Sequence, residues 1–69
     1  MKDVKGNDLS IGDYVVFVQG KNDSARIATG YITKFYKGHF DRDECSVSTG
    51  ESVQSHIRDI RIMKIKDPK

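Results

Sequence analysis

The chain has no tryptophan, one cysteine and one proline among its 69 residues, and it has no long hydrophobic run. With Cys45 as the only cysteine, no disulfide can form within the chain, and the closely spaced cysteine or histidine pairs of a zinc site are missing. The longest apolar run, Tyr14 to Val18, is far shorter than the roughly 20 residues that span a bilayer. Because the N-terminus also lacks the apolar segment of a secretory signal, we expect a cytoplasmic protein with no membrane segment, metal or cofactor.

Charge of both signs is abundant, and it is unevenly spread along the chain. Charged residues make up 32% of the sequence and hydrophobic residues 36%, a balance typical of a globular domain. A domain of this length buries only about 60% of the surface of its unfolded chain, so the core is thin and a large catalytic cleft is not expected. Residues 26–69 hold nine basic and six acidic side chains. This excess permits contact with phosphates, although it is smaller than in dedicated nucleic-acid binders.

Alternating apolar residues, separated by turn formers, predict five short strands in a single domain that covers all 69 residues. The predicted strands are Tyr14–Gln19, Arg26–Tyr36, Glu44–Ser48, Ser52–Gln54 and Ile60–Ile65. Gly30 lies inside the second strand, where the missing Cβ tolerates a bulge or a close approach of backbones. Residues 1–10 are predicted as an irregular N-terminal arm, with Leu9 and Ile11 as apolar anchors, and residues 66–69 as a frayed tail.

Residues 52–65, SVQSHIRDIRIMKI, fit two kinds of secondary structure. Some apolar residues fall at helical spacing, whereas Ile60 and Ile62 alternate like a strand. Four isoleucines and no alanine or leucine favour strands, because β-branched side chains are stiff at χ1 and suit a pleated surface. We therefore predict a strand, a 3₁₀ turn around Ser55–Asp59 and a last strand. One continuous helix is the alternative.

These elements predict an all-β fold, a small SH3-like barrel of five strands with a short 3₁₀ turn before the last strand. The segments GDYVVFVQG and GYITKF, within residues 11–36, resemble the KOW type of this barrel, with glycines before and between alternating apolar residues. The chain is also similar to a group of short uncharacterised proteins of tailed bacteriophages, which share G-D-x-V, G-x-[IV]-x-K and a closing RIMKI. The KOW resemblance implies contact with RNA or with proteins that handle RNA. It also implies a core formed by Val15, Phe17, Ile32, Val47 and Ile62.

Aromatic residues interleaved with basic ones in GYITKFYKGHF carry the main functional signal. Exposed rings stack on the bases of single-stranded nucleic acid, while neighbouring cations neutralise its phosphates. We therefore expect a non-enzymatic binding module, a phage accessory protein that engages RNA, single-stranded DNA or the host transcription or translation machinery. The candidate binding residues are Lys21, Arg26, Tyr31, Lys34, Tyr36, Lys37, His39, Phe40, Arg58 and Arg61.

A protein partner is the alternative to nucleic acid. Exposed Tyr36 and Phe40 could anchor an inhibitor or adaptor on a host enzyme, because buried aromatic side chains carry much of the energy of protein interfaces. Unpaired edge strands of a small barrel also leave self-association open.

The other chemically active residues point to structural roles. Cys45 alternates with Val47 in a predicted strand and is expected to be a small core residue, so no nucleophile with an orienting base is available. The acidic residues Asp41, Asp43 and Glu44 lack the spacing of a calcium loop and are expected to lie in a solvated turn. His56 is expected to make a local hydrogen bond within the 3₁₀ turn. The sequence therefore predicts no enzyme activity.

Overall fold

A computed structural model describes residues 1–20 and 25–68, where five strands form one antiparallel sheet. The strands are β1 (Tyr14–Gln19), β2 (Arg26–Lys37), β3 (Asp43–Ser48), β4 (Val53–Arg58) and β5 (Ile62–Lys64). Their order across the sheet is β4-β3-β2-β1-β5, and 3₁₀ turns lie at His39–Asp41 and Asp59–Arg61. The predicted all-β class, with five strands and a 3₁₀ turn before the last, is confirmed. No hydrogen-bonded pairing joins β4 to β5 in the described part of the chain, so the sheet stays open and does not close into the predicted barrel.

The two halves of the long strand β2 pair with different neighbours. Its first half pairs with β1, from Arg26 to Tyr31, and its second half pairs with β3, from Tyr31 to Lys37. Gly30 lies where the halves meet, and a Cβ added there would come within 2.2 Å of the carbonyl oxygen of Ser48. The close backbone approach predicted at Gly30 is therefore present. The irregularity in pairing lies slightly further along, between Ile32 and Lys34.

Among the residues that the structure describes, eight apolar side chains form the core, and the five predicted core residues are all among them. The pairing register places Val15 and Phe17 on the inner face of β1, as the period-2 pattern predicts. Ile11 is 65% exposed, so its predicted role as an anchor is wrong; it lies at the tip of a turn closed by Asp13 N–H and Ser10 C=O. The core consists of Leu9, Val15, Phe17, Ile32, Cys45, Val47, Ile57 and Ile62.

Residues 52–65 form a strand, a turn and a strand, but their bounds differ from the prediction. β4 continues to Arg58, because Ile57 and Arg58 pair with β3 where a 3₁₀ turn was predicted. The turn follows at Asp59–Arg61, and β5 is correspondingly short. His56 therefore belongs to β4 and not to the turn. The register shifts between the partners of Cys45 and Val47, and this shift accommodates His56.

The N-terminal arm covers the outer edge of β5. The N–H of Val4 donates to the carbonyl of Ile62 (3.0 Å), and the N–H of Lys64 donates to Oδ2 of Asp3 (2.8 Å). Asp3 is buried and also accepts hydrogen bonds from the N–H groups of Lys5 and Asn7. An edge strand paired in this way is not open to strands of other molecules. In the described part of the chain, β4 has no comparable cover.

Replacing Asp3 by asparagine is expected to lower the free energy of unfolding at pH 7 by about 2 kcal/mol, because charged hydrogen bonds are lost. Burial raises the pKa of Asp3, but the hydrogen bonds from Lys64, Asn7 and Lys5 outweigh it and hold the pKa below its ordinary value. The carboxylate therefore stabilises the fold above about pH 4, and this contribution is lost as the pH falls further, through the folded pKa. Denaturant titrations at pH 7 and at acidic pH measure the difference.

The matched control is Asp8→Asn, at an exposed carboxylate of the same arm that is paired with Lys2. Exposed ion pairs contribute little, so the control should unfold like the parent protein. An Asp3→Asn protein with unchanged stability at pH 7 would show that the arm does not hold β5.

No helix in the described ranges is long and apolar enough to cross a membrane.

Candidate nucleic-acid interface

One outer surface of the sheet carries rings and cations, and we call it the aromatic-basic face: Lys34, Tyr36, Glu44, His56 and Arg58. The strand register places Tyr36 opposite Glu44 and Glu44 opposite Arg58. The Lys34 ammonium lies 5.4 Å from the centre of the Tyr36 ring, within cation–π distance. The ring of His56 meets the Tyr36 ring edge-on, with 5.8 Å between their centres. β2, β3 and β4 thus each contribute to one continuous patch.

Glu44 is a buried carboxylate at the centre of this face. Its side chain is 6% exposed, and its Oε1 lies 2.9 Å from Nδ1 of His56. Gly38 makes room for it, because a Cβ at that position would fall 2.1 Å from the Glu44 carboxyl carbon. The expectation that Asp41, Asp43 and Glu44 lie in a solvated turn holds for Asp41; it is wrong for Asp43, which begins β3 and stays exposed, and for Glu44, which is buried. The strand begins one residue earlier, so Glu44 points out of the sheet between two neighbouring strands.

His56 has an unusual backbone conformation within β4. Its φ of 62° lies in the left-handed region. This region costs a non-glycine residue roughly 1–2 kcal/mol, and such strain is often found at functional sites. Its N–H donates to the hydroxyl of Tyr36, and its ring is held by Glu44. Two side chains of the aromatic-basic face therefore support the strained residue.

The turn between β2 and β3 presents an aromatic ring to solvent, and we call residues 38–42 the hairpin tip. Phe40 is 90% exposed, and both Phe40 and Asp41 have positive φ values. The Arg42 guanidinium lies 5.6 Å from the centre of the Phe40 ring. The base of the tip is held by Gly38 N–H, which donates to Arg42 C=O at 2.8 Å. The ring is thus held outside the core by an ordered turn.

Lys37 and Asp43 form an ion pair just below the hairpin tip. Their hydrogen bond raises the pKa of Lys37 and lowers the pKa of Asp43. The charge of Lys37 is therefore partly compensated, which leaves Lys34 beside the half-buried ring of Tyr36 and Arg42 beside the exposed ring of Phe40.

A groove of about 350 Å³ opens between β4 and the end of β1, and we call it the edge groove. Arg58 and His56 line it from β4, and Arg61 lines it from the 3₁₀ turn. Nη1 of Arg61 donates to the carbonyl oxygen of Gly20 at 3.2 Å, so this side chain joins the turn to the end of β1. Arg26 begins β2 opposite Gln19, which also lines the groove.

The predicted binding residues fall into three groups, and Tyr31 is separate from all of them. Tyr31 packs against Tyr14, with 4.9 Å between ring centres, and its hydroxyl donates to Asp67. Burial and this hydrogen bond raise the pKa of Tyr31. Lys21 lies outside the described residues. The groups are Lys34, Tyr36 and Arg58 on the aromatic-basic face, Lys37, His39 and Phe40 at or beside the hairpin tip, and Arg26 and Arg61 beside the edge groove.

Arg42, Glu44 and His56 are the residues of this site that were not among the predicted binding residues. Arg42 lies beside Phe40 in the hairpin tip, whereas Glu44 and His56 are distant in sequence. They lie 12 positions apart, and only the register between β3 and β4 brings them together. A strand pattern continued through residues 53–58 would have placed both on one outer face. Among residues 1–20 and 25–68, no three histidine, cysteine or acidic side chains come together in a way that could hold a metal ion.

The fold and the face define the class of this molecule: a small all-β protein with one five-stranded antiparallel sheet and a surface of rings and cations. Residues 1–66 match the family described as "Domain of unknown function (DUF7205)", and the chain therefore belongs to this family. No curated protein and no solved structure matches the chain.

Proposed function

We propose that this protein is a non-enzymatic binding module that engages single-stranded nucleic acid through the aromatic-basic face and the hairpin tip. The observation that carries this proposal is a pair of ring–cation contacts along one hairpin, Lys34 with Tyr36 and Arg42 with Phe40. Bases stack on aromatic rings, and adjacent cations neutralise the phosphates between successive bases. RNA and single-stranded DNA both offer these groups.

A binding role agrees with the placement of the reactive groups. Cys45 is fully buried, and burial, with the charge of Glu44, raises the pKa of its thiol to about 11. A thiol in this state is a poor nucleophile. The buried carboxylate of Glu44 orients His56, which supports the shape of the face.

The setting of this activity is part of the proposal. The resemblance to KOW-type barrels and to small proteins of tailed bacteriophages favours a phage accessory protein in the host cytoplasm. There it would act on nucleic acid or on the machinery that transcribes or translates it.

Fluorescence anisotropy with labelled oligothymidine and oligouridine tests the proposal. Affinity should fall steeply between about 50 and 200 mM salt, since bound cations are released when lysine and arginine meet phosphates. Tyr36→Ala and Phe40→Ala should each weaken binding about tenfold, the loss expected when one base loses its stacking partner. Ile27→Ala, at an exposed side chain on the first half of β2, is the control and should bind like the parent protein. No binding of either strand at low salt would refute the proposal.

A protein partner is the second candidate, and the exposure of Phe40 favours it. A ring that is 90% exposed and held by two residues of positive φ has the form of an interface anchor. The affinity of an inhibitor or adaptor that binds a host enzyme through this ring would depend little on salt concentration. Retained affinity for a protein at high salt, lost in Phe40→Ala, would support this function over nucleic-acid binding.

A further inference from the structure

We infer that the edge groove is a phosphate-binding site formed by Arg58 and Arg61. The inference rests on the proposed function for the source of the phosphate, which there is the backbone of the bound strand. It extends the interface from the aromatic-basic face around the open edge of β4.

The shape of the groove suits one phosphate with its adjoining sugar. Its volume of about 350 Å³ lies at the lower end of the range for small-molecule sites. One wall is β4, the other is the end of β1, and the 3₁₀ turn carries Arg61 to the same opening. The hydrogen bond from Arg61 to the Gly20 carbonyl fixes this arrangement. The two guanidinium groups therefore belong to an ordered groove and not to free surface loops.

The positive charge of the groove is not compensated by a carboxylate of the described residues. Three lysines are each paired with an aspartate, in Lys2–Asp8, Lys37–Asp43 and Lys64–Asp13. By contrast, neither Arg58 nor Arg61 has a carboxylate within ion-pair distance in the described ranges, and no acidic side chain there lines the groove.

Arg58 carries a buried donor that no described protein group satisfies. Its Nε is buried and has no hydrogen-bond partner among the described residues. Glu44 lies directly opposite Arg58 in the strand register, but its carboxylate is bound to Nδ1 of His56. The nearest cross-strand acid is thus engaged elsewhere, and the charge of Arg58 remains available.

Phosphate is the ligand class that these groups recognise best. The guanidinium presents several N–H donors in a planar fork that matches the oxygens of a phosphate, and two such forks can hold one phosphate from two sides. A free phosphate compound offers the same chemistry as the backbone of a nucleic acid. The test therefore uses inorganic phosphate and an oligonucleotide as separate ligands.

The side-chain Nε–Hε signals of Arg58 and Arg61 in a ¹⁵N NMR spectrum report directly on the groove. Both signals should shift when inorganic phosphate is added, and both should shift when oligothymidine is added. The variant Arg58→Gln/Arg61→Gln should bind oligothymidine about tenfold more weakly. The slope of its log affinity against log salt concentration should be shallower by about 0.7, the contribution of one phosphate on a single strand. Lys64→Gln, at a cation already paired with Asp13, is the control and should leave both values unchanged.

The outcomes separate this inference from the proposed function. If oligothymidine binds but the arginine variant keeps the affinity and salt slope of the parent protein, the groove is not a phosphate site and the proposed function stands. If inorganic phosphate shifts both arginine signals but no oligonucleotide binds, the phosphate site is supported and the proposed function fails. Unshifted arginine signals with both ligands would overturn the inference. The dispersion of the backbone signals shows in each case that the variant is folded.

Discussion

Replacing Phe17 by alanine is expected to lower the free energy of unfolding by about 4 kcal/mol, the upper range for loss of a buried ring. Phe17 is 1% exposed and is the largest fully buried side chain, at the point where β1 meets both β2 and β5. A domain of this size has few other core residues to compensate. Urea titration followed by circular dichroism measures the change.

The same substitution at Phe40 is the matched control, because it removes the same atoms from an exposed position. Phe40→Ala should cost less than about 1 kcal/mol, the scale of surface substitutions and exposed cation–π contacts. If Phe17→Ala is already unfolded without urea, Phe17→Leu retains most of the volume and gives a measurable transition. Equal stabilities of Phe17→Ala and Phe40→Ala would contradict the core described above.

The inner face of β1 was predictable because it depends on local geometry. Side chains alternate along any strand, so Val15 and Phe17 share a face whatever surrounds them. The end of β4 was not predictable in this way. Strand pairing continues through His56 because its left-handed φ is supported by Tyr36 and Glu44. These contacts come from two other strands, and a pattern within residues 52–65 cannot reveal them.

The candidate site shows the same division between local and distant contacts. Lys34, Tyr36 and Phe40 were predicted as neighbours because they lie on one hairpin. Tyr31 belongs to the same aromatic run, but it lies where β2 passes from pairing with β1 to pairing with β3, and its ring packs against Tyr14 of β1. Arg61 was chosen for its charge alone. Its role in the edge groove depends on Gly20, 41 positions away.

Replacing Gly30 by alanine is expected to lower the free energy of unfolding by about 3 kcal/mol, at the top of the usual range for overpacking. The new Cβ would lie 2.2 Å from the Ser48 carbonyl oxygen and 2.7 Å from a methyl carbon of Val47. A backbone oxygen cannot turn aside, so β2 and β3 would have to separate where Tyr31 and Ile32 pair with Ser48 and Val47. The strain arises from contact and not from dihedral angles, since Gly30 is not among the positive-φ glycines.

The variant Gly50→Ala separates steric contact from strain in the backbone dihedral angles. Gly50 has a φ of 93° and open space around the position of its Cβ, so alanine there meets only the conformational cost, about 1 kcal/mol. Urea titration of both variants should place Gly30→Ala well below Gly50→Ala in stability. If Gly30→Ala were as stable as the parent protein, the close passage of β2 and β3 at this residue would be refuted.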